Sequence, residues 1–157
     1  MSQYPKKIIL NLTPESHIRS TKGDAIFFRI KRENLRPDGL RRLLRLERYN
    51  NYKINLLAEA KSKNFTIPAA GLCITFYMPM PRTWSKKKKK ACHGLLMQSR
   101  PDLDNLIKAF CDSMTAEDKF IAHLTASKRW VDFPTGWIEC SLVEEPMQVL
   151  VQPPVKE

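Results

Sequence analysis

One stretch constrains the fold more than any other: Gly71-Leu72-Cys73-Ile74-Thr75-Phe76-Tyr77-Met78, a nearly continuous apolar run of strand length, stopped by Pro79 and Pro81. Strands of this kind are buried on both faces, so this one is expected at the centre of a sheet. Its neighbours must come from elsewhere in the chain. Ile8-Ile9-Leu10-Asn11-Leu12, ended by Pro14, reads as a first strand, and Ala25 to Ile30 reads as a second after a turn at Lys22-Gly23-Asp24. Phe120 to Lys128 and Trp137 to Val143, joined by Phe133-Pro134-Thr135-Gly136, read as a C-terminal hairpin.

Two segments carry helical periodicity. Arg36-Pro37-Asp38-Gly39 breaks the chain before a long helix from about Leu40 to Lys61. Leu40, Leu43, Leu44, Ile54 and Leu57 form one apolar stripe on it, while Leu46, Tyr49, Leu56 and Ala60 lie nearly opposite. One stripe can cover the sheet. The other either meets a partner subunit or packs within the same monomer. Arg41, Arg45 and Arg48 lie between them as a basic ridge. Leu103, Leu106, Ile107, Phe110 and Met114 mark a second helix with one core-facing side and Asp104, Lys108 and Asp112 along its polar flank. The expected class is α+β, a small single domain with a mixed β-sheet packed against two main helices.

Composition narrows the function. The chain has 157 residues, enough for one core, and a net charge of +11. No apolar run reaches the roughly 18 residues of a membrane span, and Met1 to Leu10 lacks the features of a signal peptide. A soluble, cytoplasmic protein is expected, with no membrane partner and no organic cofactor. Cys73, Cys92, Cys111 and Cys140 are widely spaced without a C-x-x-C, which signals neither zinc nor a disulfide framework. The positive charge is concentrated in the first two thirds, and the last third is acidic. Residues 82–100 include Lys86, Lys87, Lys88, Lys89 and Lys90 in succession and no acid. A run of like charges is expected to be a mobile, solvated loop, and its place just before a pair of carboxylates makes phosphate its natural contact.

Those carboxylates lie in Asp102-Leu103-Asp104-Asn105-Leu106-Ile107-Lys108. Two acids separated by one residue point the same way on extended backbone and apart on a helix. Asp104 and Lys108 share a helical face if the helix starts near Asp104. An extended Asp102 running into that helix therefore brings both acids and the lysine to one point, where oxygen ligands can hold a hard cation such as Mg²⁺. Asp118, beside Glu117 at the mouth of the expected hairpin, is the third candidate ligand. Carboxylate-held Mg²⁺ beside a lysine is what phosphodiester cleavage needs. Taken alone, the D-x-D is equally what a helix N-terminus uses to cap its backbone, and Lys108 equally a surface lysine. A nucleotide-sugar transferase or phosphatase is disfavoured, because their D-x-D follows a hydrophobic strand and Arg100-Pro101 precedes it here.

Arg100-Pro-Asp-Leu-Asp-Asn-Leu-Ile-Lys-Ala-Phe-Cys-Asp-Ser-Met114, followed by Glu117-Asp118, a strand and Ser127-Lys-Arg-Trp130, resembles the RusA family of Holliday junction resolvases. Met78-Pro-Met-Pro-Arg-Thr-Trp-Ser-Lys-Lys-Lys-Lys89 is similar to members with a lysine-rich loop, so the resemblance covers residues 71–143. It implies a nuclease domain over residues 1–145, containing the basic loop 82–100, and an irregular tail over 146–157. It also implies a bacterial or phage-encoded, homodimeric endonuclease that introduces paired nicks across a four-way DNA junction with Mg²⁺, or Mn²⁺ in its place. Asp102, Asp104 and Asp118 match the family's metal-binding aspartates, and Lys108 matches a lysine needed for cleavage. Lys128, Arg100 and Lys86 to Lys90 become the expected DNA contacts. Thr115-Ala116 is shorter than the turn of many members, a departure that bears on whether Glu117 or Asp118 takes the ligand position; Asp118 is expected as ligand with Glu117 as its neighbour. The rivals are a general or flap-type nuclease and a non-catalytic basic DNA-binding protein.

Overall fold

In the computed structural model, which describes residues 7–68 and 70–143 and Asp118 by its backbone alone, the apolar run becomes β2 (Leu72–Pro79). It is central, paired in parallel with β3 (Leu124–Val131) and antiparallel with β4 (Trp137–Leu142), while β1 (Lys7–Leu10) joins the far side of β4. The sheet order is β1-β4-β2-β3. Leu72, Ile74, Phe76 and Met78 are buried, and the alternate residues are only half-buried. The sheet thus has one core face, and the expected cover on both faces of β2 is corrected to cover on one.

The expected hairpin is also corrected. β3 starts at Leu124 and not at Phe120, which is 70% exposed at the end of a 3₁₀ turn, Asp118–Phe120. β3 and β4 are consecutive, yet β2 lies between them. The turn that carries the chain across β2 needs Gly136, where a Cβ would lie 2.1 Å from the Tyr77 carbonyl oxygen.

Helix α1 (Pro37–Ser62) opens with Pro at its first position, where the missing N–H costs nothing. Leu43, Leu46, Tyr49, Tyr52, Leu56 and Ala60 are its buried apolar residues. The two stripes therefore take different roles. The Leu46, Tyr49, Leu56 and Ala60 side enters the monomer's own core, and Leu44, Ile54 and Leu57 are left exposed. Both stripes are apolar, so periodicity could not choose between them. Helix α3 (Leu103–Met114) packs on α1 and lays Leu106, Ala109 and Phe110 into the core, with Phe110 edge-on to Phe76 at 6.4 Å.

Two further segments depart from expectation. Ala25 to Ile30 is not a strand but lies in a 3₁₀ turn, Lys22–Ile26, and the bends after it. The Asp24 carboxylate accepts from the Thr21 backbone N–H at 2.7 Å and from the Arg42 guanidinium at 2.7 and 3.0 Å, which fixes a turn where apolar content favoured a strand. That guanidinium holds the Asp24 carboxyl well below the usual carboxylate range. The lysine run, in turn, is a helix, α2 (Lys86–Cys92), and not a mobile loop. Ser85 caps it by accepting from the Lys88 N–H, the Lys88 ammonium lies 3.9 Å over the Trp84 ring, and Lys89 faces Asp132 at 3.7 Å. These contacts, with Trp84 set against Trp130, offset the repulsion among the lysines. The tail expected over 146–157 lies outside the described residues.

Candidate active site

Residues 94–97 run beside the outer edge of β3. Gly94 N–H donates to the Trp130 carbonyl at 2.8 Å, Trp130 N–H to Leu95 at 3.0 Å and Met97 N–H to Lys128 at 2.9 Å. The chain then turns toward α3. There the Lys128 ammonium donates to the carbonyls of both Ser99 and Pro101, tying down the two residues that lead into Asp102. Lys128 stands opposite Phe76 in the parallel register, on the core face of the sheet, with its head reaching out to this loop. An ammonium bound to two backbone carbonyls holds the loop, a use that the strand pattern did not suggest.

Asp102 is extended, with φ −68° and ψ 144°, and α3 begins at the next residue. The backbone takes the expected course into the helix, which starts one residue before Asp104. Asp102 occupies the N-cap position, yet its carboxylate makes no capping hydrogen bond. Asp104 sits in the first turn, also exposed. Among the described residues neither carboxylate has a hydrogen bond or an ion pair, in a chain with a net charge of +11. Capping therefore does not account for Asp102. Two unpartnered carboxylates at the start of one helix are hard oxygen donors open to a divalent cation. Among the described residues no three His, Cys, Asp or Glu side chains stand together as a metal site, and the Asp118 side chain is not among those described. The Asp118 backbone opens the 3₁₀ turn beyond the end of α3, after Thr115, Ala116 and Glu117, and Glu117 is ion-paired with Lys119.

Lys108 lies one turn beyond Asp104, with its ammonium 3.6 Å from Asp112. His17 reaches the same carboxylate at 3.5 Å and stands edge-on to Tyr49 at 5.7 Å. Burial lowers the His17 pKa, the Asp112 charge raises it and Lys108 lowers it again. Burial, and then Asp112, push the Tyr49 hydroxyl up to about 12. His17, Tyr49 and Lys53 were not among the site residues expected from sequence. Asp112 was legible at i+4 from Lys108, but nothing in the local sequence links His17 to α3. Arg100 is exposed and shares with Arg48 a groove of about 420 Å³ between residues 13–16 and the end of β2. Lys86, Lys87 and Lys90 are exposed on α2, so the basic surface of residues 82–100 is helical in this part.

Residues 31–139 match the family model described as endodeoxyribonuclease RusA. No curated protein and no solved structure matches the chain.

Proposed function

The chain belongs to the endodeoxyribonuclease RusA family, and on that premise we propose that it is a Mg²⁺-dependent enzyme that resolves four-way DNA junctions by paired nicks. The observation that carries this reading is the pair Asp102 and Asp104, left without partners at the start of α3 while Lys128 holds the segment before them. Asp102, Asp104 and Asp118 would hold the metal, with Mn²⁺ able to replace Mg²⁺. When bound there, it supplies neutralisation of phosphoryl charge and a lowered pKa for water. Lys108 adds a fixed positive charge beside the scissile phosphate, and Lys128 keeps the Asp102 backbone extended. A four-way junction becomes two duplexes only when opposing strands are both cut, so two copies related by a two-fold axis fit the substrate. Their contact does not use Leu46, Tyr49 and Leu56, which are inside the monomer, whereas Thr75, Tyr77 and Trp137, on the other face of the sheet, are only half-buried among the described residues.

The test is cleavage of a synthetic four-way junction, labelled on opposing strands, beside a linear duplex of the same sequence. Mg²⁺-dependent cuts in both opposing strands, with the linear duplex spared, are expected. Equal cutting of both substrates would make the protein a general nuclease, and binding without cutting would make it a DNA-binding protein.

Lys108 and α2 separate chemistry from binding. Lys108→Ala is expected to slow the chemical step on the order of 10²-fold, because it loses charge stabilisation that grows in the transition state, with junction affinity largely kept. Replacing Lys86, Lys87 and Lys90 with Gln should do the reverse, since the salt slope falls by about 0.9 for each phosphate that α2 no longer neutralises. The single-turnover rate at saturating junction should stay near wild type. An unchanged salt slope would show that α2 does not touch DNA.

A further inference from the structure

The cluster around Asp112 encloses more than the catalytic lysine. His17, Arg19, Tyr49, Lys53, Lys108 and Asp112 line an open cavity of about 530 Å³ between α1, α3 and residues 17–20. Tyr49 is buried, with the His17 ring edge-on to it and the Lys53 ammonium 4.9 Å over its face. Arg19, Lys53 and Lys108 line it beside a single carboxylate, Asp112, which is already shared between Lys108 and His17. Among the described residues the Arg19 and Ser20 side chains have no hydrogen-bond or ion-pair partner.

The wall formed by residues 13–20 has no regular structure, but it is held at three points. Thr13 Oγ1 accepts from the Gly136 N–H at 3.0 Å, and the His17 N–H donates to the Asn105 carbonyl at 3.0 Å. Arg42 donates to the Arg19 carbonyl at 2.8 Å while pairing with Asp24. The backbone of this wall is thus anchored, and Arg19 lies before residue 31, outside the span that matches the family. Lys108 and Asp112 lie one and two turns along α3 from Asp104, a rise of about 6 and 12 Å. On a DNA strand, with roughly 3.4 Å of axis per nucleotide, this spans about two to three and a half nucleotides.

We propose that this cavity binds a phosphodiester of the cut strand within about three nucleotides of the scissile bond, held by Arg19 and Lys53 with Lys108 between it and the carboxylates. The assignment rests on the nuclease reading and fixes which way the strand leaves the site, along α3 toward residues 17–20. Phosphate contacts of this kind set the position of the strand and carry no base information.

The test compares the wild type with an Arg19→Ala/Lys53→Ala double variant, binding junctions in EDTA so that no strand is cut. Uncharged methylphosphonates replace, singly, the six linkages around the branch. The wild type is expected to lose about tenfold in affinity at one or two linkages, the scale of a hydrogen bond to a charged group. The double variant should bind the all-phosphate junction about tenfold more weakly and be indifferent to those linkages, while keeping its sensitivity elsewhere. Lys53→Arg should restore the wild-type pattern. A double variant that keeps the wild-type sensitivity at every linkage overturns the proposal. Saturation of the cavity by inorganic phosphate at micromolar concentration would also overturn it, marking a free-anion site. If the wild type binds linear duplex as tightly as a junction, the resolvase reading falls. The same linkage scan on that duplex still decides the subsite.

Discussion

Asp102→Asn and Asp104→Asn should each lower junction cleavage on the order of 10³-fold or more, because several kcal/mol of transition-state charge stabilisation depend on the metal they are proposed to hold. Asparagine keeps the shape and loses the charge. It is also as good an N-cap as aspartate, so if Asp102 served only to start α3, the substitution would be nearly silent. Folding should be preserved in both variants, since neither carboxylate has a partner among the described residues and the helix-dipole contribution is at most about 1 kcal/mol at an exposed site. Junction binding in EDTA should hold or tighten, with one negative charge fewer facing DNA. Asp118→Asn is expected to behave alike. Single-turnover cleavage beside a metal-free binding titration checks all three, and near-normal cleavage by any one of them removes that residue from the site.

Phe110→Ala is expected to destabilise the fold by about 3–5 kcal/mol, the range for truncating a fully buried aromatic. Phe110 is 0% exposed and stands edge-on to Phe76, so the cavity opens between α3 and the central strand. A domain is stable by only about 5–15 kcal/mol in total. The melting temperature should therefore fall by roughly 6–20 °C, at about 2–4 °C per kcal/mol for a chain of this length. The same helix carries Asp104 and Lys108, so activity should drop at temperatures where the variant is still folded. Urea titration of the variant measures the loss, and a change below about 1 kcal/mol would mean that the α3–sheet contact is not the packing centre it looks to be.

The most legible parts of the chain were those where local pattern and tertiary role coincide. The apolar run at 72–79 was expected inside a sheet, and it has neighbours on both edges, as β4 does. The i, i+3, i+4 spacing from Leu103 to Met114 allowed one buried side, and α3 buries it. An extended Asp102 running into a helix was legible, because it depends on a few adjacent backbone angles; Asp104 already lies in the first turn of α3.

Where two patterns were equally good, or where a partner distant in sequence intervened, only the tertiary structure decided. The two apolar stripes of α1 could not be ranked without knowing which side α3 and the sheet occupy. Ala25 to Ile30 has strand composition, but Arg42, eighteen residues beyond Asp24, holds it in a turn. The lysines of α2 were expected to repel one another into a loop, until Ser85, Trp84 and Asp132 gave them contacts. The expected hairpin failed because β2 took the place between β3 and β4. His17 and Lys128 acquire their positions through contacts made 88 residues away at Asn105 and 27 and 29 residues away at Pro101 and Ser99. Local sequence thus determined the strand, the helix and the two carboxylates. The cavity beside them and the hold on Asp102 arise only where remote segments meet, because a hydrogen bond or an ion pair depends on distance in space and leaves no periodicity along the chain.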